Sequence, residues 1–174
     1  MKFLVVYGTR TGQTKRIAER IAARLHERGA MVDLVNARSI PIDLQIADYD
    51  GVIAGASVNT GKFQSCLGDF IDGFHEPIAR VPSAFFGVSL SEADATLRQQ
   101  ARDYIDRFLT EHTWRPALTA SFAGALPPSR FQWVMRLFWR RLAKGTDEFT
   151  DWGVVSQFAD GFLDKVEAST FAAA

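Results

Sequence analysis

One feature constrains this chain more than any other. The apolar run Phe3-Leu4-Val5-Val6-Tyr7 breaks at once into Gly8-Thr9-Arg10-Thr11-Gly12-Gln13-Thr14, and apolar residues then recur at helical spacing. An unbroken apolar run leaves no polar face, so the strand it forms must be covered on both sides, as in a parallel sheet between helix layers. Ile17, Ala18, Ile21, Ala22 and Leu25 line one side of the helix that follows, and Gly29 supplies its stop.

The alternation repeats. Residues 31–35, 52–56, 84–90 and 118–125 read as four more strands. Helices are predicted between them: one carries Leu67, Phe70, Ile71 and Phe74 and stops before Pro77, and another carries Leu97, Ala101, Tyr104, Ile105, Phe108 and Leu109. A last helix starts near Thr150-Asp151 and carries Val154, Val155, Phe158, Phe162 and Val166. Strands alternating with helices predict an α/β, doubly wound, five-stranded parallel sheet. At 174 residues the chain reads as a single domain over about residues 1–170 with a frayed Ala172-Ala173-Ala174 tail. Residues 126–149 exceed what a sheet connection needs, so a helical insertion is predicted before the last helix.

Charge and composition narrow the chemistry. Lys+Arg and Asp+Glu are both 20, which argues against a basic nucleic-acid-binding field and against a strongly acidic electron shuttle. Cys66 is the single cysteine and reads as a small buried or half-buried residue; His26, His75 and His112 are scattered over helices, so no metal site is expected. The N-terminus lacks the pattern of a targeting segment and no window is apolar enough to span a bilayer, so a cytoplasmic protein is expected.

The first turn carries the clearest chemistry. Thr9, Arg10, Thr11, Gly12, Gln13 and Thr14 lie between a strand and a helix N-terminus. Hydroxyls, free backbone N–H groups and the helix dipole there suit a phosphate monoester. The turn lacks the Gly-Lys-Ser/Thr of a nucleotide P-loop and the Gly-x-Gly-x-x-Gly of dinucleotide binders. The alternative is a threonine capping an ordinary helix start.

Residues Val5-Val6-Tyr7-Gly8-Thr9-Arg10-Thr11-Gly12-Gln13-Thr14-Lys15-Arg16-Ile17-Ala18 resemble the signature of the flavodoxin family. The resemblance implies a flavodoxin-like sheet of order 2-1-3-4-5, with FMN at the carboxyl ends of its strands and its phosphate on the first turn. Two further loops should then flank the flavin ring: Ser57, Val58, Asn59, Thr60 and Gly61 after the third strand, and Ser89, Leu90 and Ser91 after the fourth. Electron-carrying members stack aromatic residues on the ring from these loops. This chain has none there, which leaves a ring face open to a substrate, with Lys62 a candidate substrate contact.

Further short motifs follow in order: Gly55-Ala56-Ser57-Val58, Pro82-Ser83-Ala84-Phe85-Phe86, Trp114-Arg115-Pro116, Ala123-Gly124-Ala125-Leu126 and Thr150-Asp151-Trp152. Together they resemble one branch of the family, the bacterial FMN-dependent protoporphyrinogen IX dehydrogenases (quinone). That resemblance implies oxidation of protoporphyrinogen IX with electrons passed to a membrane quinone, in haem biosynthesis. The alternatives are a flavodoxin-type electron-transfer protein and a flavin-dependent quinone reductase. The insertion, on a helical wheel, gathers Phe131, Val134, Met135, Phe138, Trp139 and Leu142 on one face and Arg136, Arg140 and Lys144 opposite, with Arg130 at the edge. Such a pattern suits a carboxylate-bearing substrate or an anionic membrane surface, which would place the protein peripherally on the inner face of the plasma membrane; the alternative is a helix packed on its own domain.

Overall fold

The computed structural model describes residues 1–124 and 150–173. Strand β1 (Lys2–Gly8) leads into helix α1 (Gln13–Glu27), β2 (Met31–Asn36) and β3 (Gly51–Asn59). A two-residue β4 (Lys62–Phe63) folds back before α2 (Ser65–Gly73) and the short α3 (His75–Ala79). Then come β5 (Ser83–Ser89), α4 (Arg98–Glu111), β6 (Leu118–Ala123) and α5 (Trp152–Ala173). The predicted insertion, with Arg130, Arg136, Arg140 and Lys144, lies outside the described residues.

The sheet order is β2-β1-β3-β5-β6, every neighbour in that path parallel, with β4 antiparallel on β3. Counting the five long strands alone gives the expected 2-1-3-4-5. Alternating side chains of β1 feed two cores: Phe3, Val5 and Tyr7 pack with α1 and α5, Leu4 and Val6 with the α2 and α4 side. Both faces of β1 are therefore dry, which is why its sequence shows no polar alternation.

Two expectations are corrected. Residues 57–61 are the end of β3 and a tight hairpin, not an open loop: Val58 pairs with Phe63 and Asn59 with Lys62. Both central residues have positive φ, Thr60 at 47° and Gly61 at 80°, the pattern of a type I′ turn. The helix carrying Leu67, Phe70 and Ile71 does stop before Pro77, at Gly73, and Pro77 sits in the first turn of the separate α3, where its missing N–H is not needed. The expected frayed tail is helical through Ala173.

On the α1–α5 face, Asp160 accepts two hydrogen bonds from Arg24 Nε and Nη2 (2.9 and 3.0 Å) and one from Arg28 (3.1 Å), and Arg28 also reaches Asp164 at 3.1 Å. These guanidinium groups hold the Asp160 carboxyl below the usual carboxylate range, Arg24 contributing most.

Candidate functional site

The carboxyl ends of β1, β3 and β5 converge on one cleft of about 210 Å³, lined by Arg10, Thr11, Gln13, Ser57, Val58, Asn59, Thr60, Val88, Ser89, Leu90 and Gly124. Three loops distant in sequence meet there because parallel strands deliver their carboxyl ends to one edge, on either side of the point where the order reverses. Val88 and Gly124 were not anticipated. Gly124 is placed by its N–H, which donates to Ser89 O at 3.0 Å.

The turn between β1 and α1 is shaped by its own polar groups. Gly12 stands at the N-cap position of α1 at φ 93°, a left-handed conformation that favours glycine, and no side chain caps the helix. Threonine capping is therefore not what this loop does. Thr9 Oγ1 instead accepts from Gly12 N–H at 3.0 Å and closes the turn, keeping its own O–H to donate. The Thr14 side chain is fully buried, yet its Oγ1 has no hydrogen-bond partner among the described residues.

Gln13 lines the cleft, and its side chain is held by neighbouring residues. Its Nε2 donates to Thr150 Oγ1 at 2.8 Å, its Oε1 accepts from Arg16 at 3.2 Å, and Thr150 donates onward to Ala123 O at 2.8 Å. Gln13 thus ties the start of α1 to the end of β6 and to the residues entering α5. Its backbone N–H remains directed at the loop by the geometry of a helix N-terminus.

The second wall is ordered from behind. Gln64, itself buried, donates to Ser57 Oγ at 3.5 Å and accepts from Arg38 at 3.0 Å. Ser89, at the end of β5, is the other buried hydroxyl with no partner among the described residues. Ser91 is turned to Gln100, to which it donates at 3.1 Å. Gly61 and Lys62 lie on the far side of the hairpin and line a separate groove with Tyr104 and Arg107.

The chemistry of the donor set fits a phosphorylated flavin. An uncapped helix start, threonine hydroxyls and Arg10 suit a phosphate, and the buried Thr14 hydroxyl, in the same stretch of chain, is an unspent donor among the described residues. Ser89 is a second unspent donor, at the other wall. No aromatic, carboxylate or imidazole side chain lines the cleft among the described residues.

Together, this topology and this phosphate loop define a flavodoxin-type protein. The chain belongs to the flavodoxin domain family, whose model matches residues 4–152. It is 34% identical over 169 residues to the protoporphyrinogen IX dehydrogenase [quinone] of Escherichia coli K12, covering 91% of this chain and 93% of the relative. A Leishmania major protein of the same name is 31% identical over 175 residues, with 92% of this chain and 74% of the relative covered. Among solved structures, an archaeal flavodoxin shares the fold with a TM-score of 0.59 at 18% identity, over 96% of this chain and 99% of its own. No described helix is long and apolar enough to cross a membrane.

Proposed function

We propose that this chain is an FMN-dependent oxidoreductase that converts protoporphyrinogen IX to protoporphyrin IX and passes the electrons to a quinone, in haem biosynthesis. The observation that carries the cofactor is the pair of buried hydroxyls without a partner among the described residues: Ser89 Oγ, in the cleft wall, and Thr14 Oγ1, in the first turn of α1 next to the cleft-lining Gln13. The substrate and acceptor rest on the family branch to which the relatives belong. The balance is simple: the tetrapyrrole loses six electrons and six protons, and three quinones each take two of each to become quinols.

FMN, when bound, supplies the two-electron exchange between tetrapyrrole and quinone. The residues of the chain supply the rest. Thr9, Thr11 and Thr14 and the amides from Gly12 to Thr14 hold the phosphate, with Arg10 as counter-charge. Ser57, Val58, Asn59 and Thr60 on one wall and Ser89 and Leu90 on the other border the ring. With no aromatic side chain in the described lining, a ring face stays open for a large apolar substrate, which separates this reading from an electron carrier. The residues between β6 and α5 depart from Gly124, in the cleft wall, and return at Thr150, bonded to Gln13. The basic and aromatic periodicity of residues 131–144 supports an approach to an anionic membrane surface, where a lipid-soluble quinone is found.

The test is direct. The purified protein should bind FMN far more tightly than riboflavin. Loaded with FMN and kept anaerobic, it should reduce a menaquinone or ubiquinone analogue when protoporphyrinogen IX is supplied. Turnover with NADPH and quinone but none with protoporphyrinogen IX would transfer the assignment to the quinone reductases. For the membrane, changing Arg136, Arg140 and Lys144 together to Glu should abolish salt-sensitive binding to anionic vesicles; unchanged sedimentation would remove that part of the reading.

A further inference from the structure

Behind the β3–β4 hairpin lies a second groove of about 300 Å³, whose walls are the hairpin and α2 on one side and α4 on the other. Thr60 lines the flavin-side cleft and Gly61, the next residue, lines this groove, so the two hollows share the hairpin as a common wall. The floor is aromatic. Phe63 and Phe108 meet edge to face at 5.3 Å, and the His112 ring lies 4.5 Å from Phe108. Tyr104 backs the turn, with its ring edge 4.0 Å from the Cβ position of Gly61.

The charges in the groove are sorted. Helices α2 and α4 both start at the carboxyl edge of the sheet and run away from the cleft. Tyr104 stands against Gly61 and His112 against Gly68, so Arg107, between them on α4, lies nearer the hairpin turn than Asp69 and Glu111 do, and Lys62 is in the hairpin itself. Lys62 is exposed and has no ion pair or hydrogen bond among the described residues. Among the described residues Arg107 has no carboxylate partner either; its guanidinium lies 5.6 Å from the centroid of the Tyr104 ring, which stands against the hairpin turn at Gly61. Two unspent cations therefore flank an aromatic floor at the end of the groove that adjoins the flavin site.

We propose that Lys62 and Arg107 anchor a carboxylate of the substrate, with Tyr104 and Phe63 beneath the hydrocarbon arm that bears it. The proposal rests on the reading that the substrate is protoporphyrinogen IX, an apolar macrocycle of four pyrroles joined by methylene bridges, with two propionates on adjacent pyrroles. The described cleft offers only Arg10 as a cation, and that residue is placed at the phosphate. A macrocycle over the ring face needs a second basic site within reach, and the hairpin brings one. Arginine presents a forked donor that matches a carboxylate, and lysine adds a point charge. Asp69 and Glu111, at the far end, repel the carboxylate and keep it at the cleft end.

The experiment uses FMN-loaded full-length protein and protoporphyrin IX, the stable oxidised product with the same propionates. Binding is read by porphyrin fluorescence, in parallel with protoporphyrin IX dimethyl ester. Wild type should prefer the diacid over the diester. Lys62→Ala and Arg107→Ala should each weaken diacid binding about tenfold, the low end for a charge-assisted contact, and should largely erase the preference. Lys62→Arg should restore it. In turnover, the KM for protoporphyrinogen IX should rise with little change in kcat. Equal loss for diacid and diester, or no loss for either, would overturn the anchor while leaving the oxidation intact. A wild-type protein that neither binds protoporphyrin IX nor oxidises protoporphyrinogen IX would overturn the functional reading and the anchor with it.

Discussion

Gln13 Nε2 donates to Thr150 Oγ1 at 2.8 Å, joining the first residue of α1 to a residue 137 positions away. Thr150 then donates to Ala123 O at 2.8 Å, so one hydroxyl links the phosphate loop, the end of β6 and the entry to α5. Removing it leaves the buried Gln13 amide without its acceptor, at a cost of about 1–3 kcal/mol. Thr150→Val should lower Tm by several degrees, since 1 kcal/mol moves a chain of this size by roughly 2–4 °C. Gln13→Ala should cost a similar amount, and the double variant should cost less than the sum of the two. Thermal unfolding of the four proteins measures this; strict additivity would mean the bond is not coupled.

Thr14 invites the opposite sign in the two forms of the protein. Its hydroxyl is buried and unpartnered, so Thr14→Val removes an unsatisfied polar atom with little change of shape. The flavin-free protein should be as stable as wild type or more so. FMN affinity should fall by about 1.5–3 kcal/mol, on the order of 10–100-fold, because a charge-assisted contact is lost. Riboflavin affinity should scarcely move. A titration in which FMN and riboflavin weaken equally would place Thr14 away from the phosphate.

How much of this was legible follows from the residues. The run at Phe3–Tyr7 declared a strand covered on both faces, and the signature from Val5 to Ala18 pointed to the family and to the turn between β1 and α1. The hairpin at Thr60 was hidden because a β-branched residue at positive φ runs against local preference. Gly61 was the available signal, being the favoured second residue of such a turn. Phe63 belongs to a strand of two residues and is held by its edge contacts with Phe85 and Phe108, at 5.2 and 5.3 Å, which no local pattern encodes. The commitment of the Gln13 side chain to Thr150 depends on β6 and α5 arriving beside α1. That is a tertiary fact, invisible in a loop motif.

The Asp160 cluster sets an acid limit. Its pKa is lowered in the folded chain, first by hydrogen bonding to Arg24. A depressed carboxylate contributes stability that is fully present above the unfolded value of about 3.9 and is lost as pH falls through the lower folded value. Asp160→Asn should therefore lower Tm at pH 7. It should also lose less stability than wild type on acidification below about pH 4. Tm measured from pH 7 to pH 3 checks this; parallel curves would show that the clamp carries no linkage.

Thr60 holds a backbone conformation that L-residues other than glycine, asparagine and aspartate seldom adopt, at φ 47°. Such strain costs on the order of 1–2 kcal/mol, and Thr60 recovers part of it by donating its Oγ1 hydrogen to Asn59 O at 2.8 Å. Asparagine tolerates this region better and is favoured in type I′ turns. Thr60→Asn should raise Tm by a few degrees without altering the β3–β4 pairing. Because Thr60 lines the cleft and Gly61 the groove behind it, the variant also tests whether the strained turn serves binding. Strain that persists at a site is expected where the geometry it enforces is used. A variant that is more stable yet binds FMN or protoporphyrin IX several-fold more weakly would assign the turn a role in the site. One that is more stable and binds unchanged would leave it as tolerated strain. A fall in Tm would refute the premise that this turn is strained at all.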